Sequence, residues 1–97
     1  MAKVLFRVSY TIPDGKRPEY LTSINAVKDF YAGSGITFDV FESKGKRNHF
    51  QEVYVYASEE AYEASDDPET TAPISGAIEK IYGLAKDVVY DVSIEVV

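Results

Sequence analysis

Residues 48–62 read NHFQEVYVYASEEAY, and the fold turns on which way this stretch faces. Phe50, Glu52, Tyr54 and Tyr56 fall on one side of an extended chain and His49, Gln51, Val53 and Val55 on the other, because successive side chains of a strand point to opposite faces. The aromatic and β-branched residues predict a strand over 49–57. Ser58 then breaks the alternation. Its hydroxyl suits an N-cap, and Glu59 and Glu60 behind it suit the positive end of a helix dipole. A strand followed at once by a helix is the expectation.

Working outward, Ile36, Phe38 and Val40 alternate with Thr37 and Asp39 as a preceding strand, which the loop Ser43 to Asn48 joins to 49–57 as a hairpin. At the N-terminal end Val4, Phe6, Val8, Tyr10 and Ile12 alternate with Arg7, Ser9 and Thr11 until Pro13-Asp14-Gly15 makes a turn. Pro18 suits a first helical turn, and Tyr20, Ile24, Val27 and Tyr31 recur at helical spacing until Gly33. On the C-terminal side the helical region is interrupted by Asp66-Asp67-Pro68 and restarts near Pro73, with Ile74, Ile78, Ile81 and Leu84 or Ala85 on one face. A last strand spans Val88 to Val97, with Val88, Tyr90, Val92, Ile94 and Val96 at the even positions.

The order is β-α-β-β-α-β. A right-handed crossover turns it into an α+β, ferredoxin-like four-stranded antiparallel sheet with two helical regions on one face. The other face mixes Leu5, Phe41, Val53, Val55 and Val97 with Arg7, Asp39, Asp91 and Glu95. No other element remains to cover it, so a homodimer through the sheet face is expected.

Composition bounds the function. Ninety-seven residues with 45% apolar and 27% charged side chains make one globular domain, residues 1–97, burying roughly 60 to 65% of its unfolded surface. The absence of cysteine removes disulfides, thiolate nucleophiles and cysteine-held metals, and a single histidine excludes a histidine-rich metal site. A net charge of −6 argues against nucleic acid. With no membrane span or signal-peptide pattern, the chain reads as cytoplasmic.

Around Phe50-Gln51-Glu52-Val53-Tyr54-Val55-Tyr56 and Glu59-Glu60-Ala61-Tyr62 the chain resembles the dimeric α+β barrel superfamily, and within it the small antibiotic-biosynthesis-type monooxygenases. The resemblance implies a pocket between the sheet and the helices of each subunit, and a quinone-forming oxidation of a phenolic substrate with neither metal nor flavin. Some members carry an asparagine and, four residues later, a tryptophan on the third strand, then a tyrosine on the following helix. Glu52, Tyr56 and Tyr62 occupy those positions, and Tyr62 alone matches by type. The Ala-His step of the following helix is replaced by Glu63-Ala64-Ser65-Asp66.

The candidate catalytic residues are therefore Glu52 as a general base, with Tyr56 and Tyr62 positioning the ring. Burial among aromatics would raise the Glu52 pKa, although structural networks perturb carboxylates too. Tyr54, Tyr82 and Tyr10 are candidate pocket residues, each with an apolar body and a hydroxyl, although strand aromatics also serve ordinary core packing. His49 falls on the opposite face beside the loop, partly solvated or at the dimer contact. Lys16, Arg17, Lys44, Lys46, Arg47 and Lys86 gather at one end of the fold. They form a basic rim able to hold an anion, or else solvated loop tips beside Asp14, Glu19, Glu42 and Asp87. Three functions stay open: an enzyme without a cofactor, a non-catalytic ligand-binding or regulatory module, and a structural assembly protein.

Overall fold

The hairpin at the centre of the chain sets the sheet. In the computed structural model, which describes residues 2–65 and 69–97, β2 (Thr37–Glu42) pairs antiparallel with β3 (His49–Tyr56), and Val40 lies opposite Glu52. β3 pairs on its other side with β1 (Val4–Thr11), and β1 with β4 (Lys86–Ile94), both antiparallel. The strand order is β2-β3-β1-β4, as the β-α-β-β-α-β reading requires. The break at Asp66-Asp67-Pro68 lies outside the described residues.

The helices form where the sequence places them. α1 (Arg17–Tyr31) starts with proline in its first turn and buries Tyr20, Ile24, Val27 and Tyr31, one stripe at helical spacing, together with Ser23. The turn before it is one round of 3-10 helix, Asp14–Lys16. α2 (Glu59–Ala64) begins at Ser58, whose Oγ accepts the Ala61 N–H at 3.2 Å. A 3-10 turn, Ala72–Ile74, leads into α3 (Ser75–Leu84), which buries Ile81 and packs against α1.

β4 departs from its expected span, beginning at Lys86 and ending at Ile94, so that Val96 and Val97 lie beyond it and are exposed. The early start is a bulge. Ser9 faces Val89 and Thr11 faces Lys86, so Asp87 and Val88 together oppose Tyr10, and Asp87 takes a positive φ of 55°. Beyond the bulge Tyr90, Val92 and Ile94 share the helix-side face with Val8, Phe6 and Val4. They are nevertheless about half exposed, at 59%, 47% and 51%. α1 packs on β2 and α3, and α2 on β3, so the helix side of β4 is only partly covered, Tyr82 of α3 reaching as far as Tyr90.

The core holds Val8, Tyr10 and Ile12 from the first strand and its extension, the α1 stripe, and Phe38, Phe50, Ile74 and Ile81. The parity of β3 follows directly. Glu52 is 3% exposed and faces the helices, while Val53 and Val55 lie on the outer face beside Arg7 and Leu5. On that outer face Arg7 pairs with Asp91 at 2.7 Å, among Leu5, Phe41 and Val89, whose exposures exceed a third.

Candidate functional site

A carboxylate in the core is the main chemical anomaly of this fold. Glu52 sits at the middle of β3, between Val8 on β1 and Val40 on β2, and each of its oxygens receives a phenol. Tyr54 donates to Oε1 at 2.6 Å, and Tyr10 donates to Oε2. The Tyr10 oxygen lies 3.0 Å from the Tyr20 oxygen. Since Tyr10 spends its single proton on Glu52, Tyr20 must be the donor in that pair. The result is a chain, Tyr20 to Tyr10 to Glu52 from Tyr54, with every proton directed toward the carboxylate.

Burial dominates the electrostatics. It pushes the Glu52 carboxyl above its ordinary value, and the hydrogen bonds from Tyr10 and Tyr54 oppose that shift without cancelling it. Among the described residues no lysine or arginine pairs with this carboxylate. The phenols respond in the same sense. Tyr10, Tyr54, Tyr20 and Tyr82 are all raised, by burial first and then by the neighbouring Glu52 charge, with Tyr20 moderated by its bond to Tyr10. Tyr31 is pushed up to about 12, again by burial first.

Aromatic rings surround this chain on the helix side. Tyr54 packs on Phe38 at 4.7 Å, edge-on to Tyr31 at 5.5 Å and parallel to Tyr56 at 6.3 Å. Tyr56 meets Tyr62 of α2 edge to face at 5.4 Å, and Phe6 touches both Tyr54 and Tyr62 while stacking on the exposed Tyr90. The structure thus brings Glu52, Tyr54, Tyr56 and Tyr62 into one contiguous group. Tyr10 lies behind Glu52, fully buried, and Tyr82 is edge-on to Tyr10 at 6.4 Å and 38% exposed. Tyr20, Tyr31 and Phe6 belong to the same group and were read from sequence only as core or strand spacing. Their signal was present in their identity: a tyrosine on a buried helix stripe brings a hydroxyl that needs a partner.

Half of the basic rim is engaged with its own acids. Arg17 makes two bonds to Glu42, 2.6 and 2.9 Å, donates to Asn48 Oδ1 at 2.8 Å, and lies over the Phe50 ring. Glu42 also accepts the Asn48 backbone N–H, and these bonds hold its pKa down to about 2. Asn48, buried and at φ 65°, links this pair to Asp14, which is bonded in turn by Arg47 at 3.0 Å and has its own pKa lowered. Lys16 stands 4.0 Å from Glu19. Lys44, Lys46 and Lys86 are exposed. A cleft of about 340 Å³ opens beside this cluster, between α1 and β2, over Ile24, Val40 and Phe50.

His49 is half buried on the outer face, its Nδ1 3.1 Å from the Thr11 hydroxyl. It borders a shallow polar hollow with Arg7, Ser9, Gln51 and Asp91, away from Glu52. Among the described residues no group of histidine, aspartate and glutamate side chains is arranged to hold a metal ion. No described helix is long and apolar enough to cross a membrane.

An α+β sheet with helices on one face and a buried carboxylate among phenols defines the class: a ferredoxin-like α+β protein. Solved structures narrow it. The chain has the fold of the antibiotic-biosynthesis-monooxygenase type of dimeric α+β barrel proteins. A proposed antibiotic biosynthesis monooxygenase from Caulobacter crescentus superposes with a TM-score of 0.81 at 12% identity, over 99% of this chain and 91% of that one. SnoaB, a cofactor-independent oxygenase from Streptomyces nogalater, gives 0.73 at 16% identity, over 94% and 90%. A dimeric ferredoxin-like protein from an uncultured marine organism gives 0.76 at 15% identity, over 100% and 90%. No protein-family model matches the chain, and no curated protein matches it by sequence.

Proposed function

We propose that this chain forms a homodimer through the outer sheet face, binds a small aromatic molecule on the helix side of the sheet, and acts on it without a cofactor, with Glu52 as the base. The observation that carries this reading is the Glu52 carboxylate itself, 3% exposed, raised in pKa by burial and met by two phenols rather than a cation. A carboxyl of this kind takes up a proton more readily than an exposed one, as a general base requires. The 97 residues act as one domain, in the cytoplasm.

The half-buried Tyr54 provides the route. A phenolic ligand gives its hydroxyl proton to the Tyr54 oxygen while Tyr54 passes its own to Glu52 Oε1, leaving a ligand phenolate and a neutral Glu52. Tyr56 and Tyr62, edge to face, supply the apolar wall against which the ring is held. With dioxygen as co-reactant, the phenolate is oxidised to a quinone. One oxygen atom enters the ring as a carbonyl and the other leaves as water, so the four electrons lost by the ring are those gained by dioxygen. SnoaB, a cofactor-independent oxygenase of the same fold, supports a reaction with dioxygen that needs no cofactor.

Oxygen uptake with a panel of phenols tests the reading. Glu52→Gln should abolish turnover in a protein that remains folded and dimeric, and an unchanged rate removes Glu52 from the mechanism. The competing reading is a non-catalytic module holding an anion at Lys16, Arg17, Lys44, Lys46 and Arg47. It has less support, because Glu42 and Asp14 already occupy Arg17 and Arg47. That module would show an anion-dependent rise in melting temperature, reduced by Lys46→Ala with Arg47→Ala.

A further inference from the structure

We propose that Tyr10 and Tyr20 are positioning residues that set how readily Glu52 takes up a proton, through one chain of hydrogen bonds that must reverse when the carboxyl is protonated on the Tyr10 side. The inference rests on the reading of Glu52 as the base. Its premise is geometric: Tyr20, Tyr10 and Glu52 are joined in sequence, 0%, 0% and 3% exposed, so water does not replace a lost partner.

Each hydroxyl has one proton to give, which fixes the direction of the chain. With Glu52 ionised, Tyr20 donates to Tyr10 and Tyr10 to Oε2. When Oε2 carries a proton, that oxygen becomes the donor, Tyr10 must turn to donate to Tyr20, and Tyr20 must surrender its own donation to Tyr10. Protonation at Oε2 therefore reorients two buried phenols on two elements, β1 and α1, whereas a proton delivered to Oε1 through Tyr54 leaves them in place. Removing the Tyr20 hydroxyl leaves Tyr10 a poorer donor, because a hydroxyl that accepts a bond is polarised to give a stronger one. Glu52 then holds its charge less well although nothing touching it has changed. Phenols face the carboxyl from every side and are themselves raised by its charge: Tyr10 on β1, Tyr20 and Tyr31 on α1, Tyr54 on β3 and Tyr82 on α3, with Glu42 acting further out on Tyr20; Tyr10 and Tyr54 are the two that bond to it. Of these, Tyr20 is the one that reaches the carboxyl through Tyr10.

The test is the titration of the Glu52 side-chain carboxyl by carbon-13 NMR in the full chain, with Glu52→Gln assigning the resonance. Tyr20→Phe should move the midpoint to higher pH, and Tyr10→Phe should move it further in the same direction. Tyr31→Phe removes a nearby hydroxyl outside the hydrogen-bonded chain and should leave the midpoint in place. A role in packing alone would lower the melting temperature of Tyr20→Phe without moving the midpoint, and that result overturns the proposal. If Tyr10→Phe does not fold, Tyr20→Phe against Tyr31→Phe still decides it. The readout needs no substrate, so it stands apart from the enzyme reading: loss of turnover in Glu52→Gln with an unmoved midpoint in Tyr20→Phe would keep the base and discard the chain behind it.

Discussion

Replacing Glu52 by glutamine should change how stability depends on pH, with a sign opposite to that of most carboxylates. The folded state raises the Glu52 pKa above the ordinary value of 4.5. Between those two values the native chain holds a proton that the unfolded chain has lost. Stability contributed by this group is therefore fully present below pH 4.5 and falls as pH rises through the folded pKa. The slope approaches about 1.4 kcal/mol per pH unit for one proton. Each unit by which the folded titration lies above the unfolded one thus removes about 1.4 kcal/mol at neutral pH. For a domain of this size that corresponds to roughly 4–8 °C of melting temperature per kcal/mol, well within measurement. Urea unfolding of wild type and Glu52→Gln should be followed from pH 4 to 9 at fixed protomer concentration, because the proposed dimerisation would otherwise move the midpoint by mass action. The amide alters the native network by a constant amount, so only the pH-dependent part of the difference counts. Other carboxylates titrate alike in both proteins and cancel. The wild-type advantage should decline above pH 4.5 and then level. Parallel curves would mean that the carboxyl titrates as it does in the unfolded chain, and a wild-type advantage growing with pH would mean that the two phenols outweigh burial; either result refutes the reasoning.

Three further outcomes are expected. Arg17→Ala should flatten the acid limb: Glu42, held at about 2, contributes stability above pH 4.5 that is lost as pH falls toward 2, and urea unfolding from pH 5 to 2 should show a smaller loss in the variant. Ser58→Ala leaves the Ala61 N–H without its cap and should lower stability by about 1 kcal/mol in denaturant titration, with no effect on the Glu52 titration. Val53→Asp places a charge on the outer sheet face opposite Arg7 and should reduce the molar mass measured by light scattering from dimer to monomer; an intact dimer would show that the subunits associate elsewhere.

Element order and the sharing of faces along each strand were legible in the sequence because each rests on a short period; which face of 49–57 meets the helices was not, because a slip of one residue inverts it. Alternation from His49 to Tyr56 put Glu52 and the aromatics on one face, and the structure places them there. The extent of β4 was not legible. Its bulge at Asp87-Val88 arises from pairing with Ser9 and Thr11, a relation between distant segments that local periodicity does not carry. The exposure of Tyr90, Val92 and Ile94 was hidden for a related reason. Their spacing says which face they share, whereas coverage depends on where α1, α2 and α3 lie. At the site, Glu52 was identifiable as a carboxylate on an aromatic face. The direction of its hydrogen bonds was not, because Tyr10, Tyr20 and Tyr54 come from three elements whose hydroxyls meet only after packing.

Magnitudes then bear on why a carboxylate stands at position 52. Burying one without a cation costs several kcal/mol even after relaxation, and hydrogen bonds to a charged group return about 1.5–3 kcal/mol each. Two phenols therefore roughly offset the burial and leave little net gain. A leucine in the same place would gain about 1.5–3 kcal/mol from its own burial, although it would leave the Tyr10 and Tyr54 hydroxyls without an acceptor. Apolar replacement of the whole chain, with phenylalanine at 10, 20 and 54, removes that penalty as well, since Tyr20 would otherwise lose its acceptor on Tyr10. Folding alone is thus served at least as well by an apolar set as by Glu52 with Tyr10, Tyr20 and Tyr54. The quadruple variant Glu52→Leu, Tyr10→Phe, Tyr20→Phe, Tyr54→Phe should accordingly be as stable as wild type or more so at neutral pH, where burial of the ionised carboxylate weighs most. A large loss of stability in that variant would mean that the network is retained for the fold, and the case for Glu52 as a functional base would lose its energetic support.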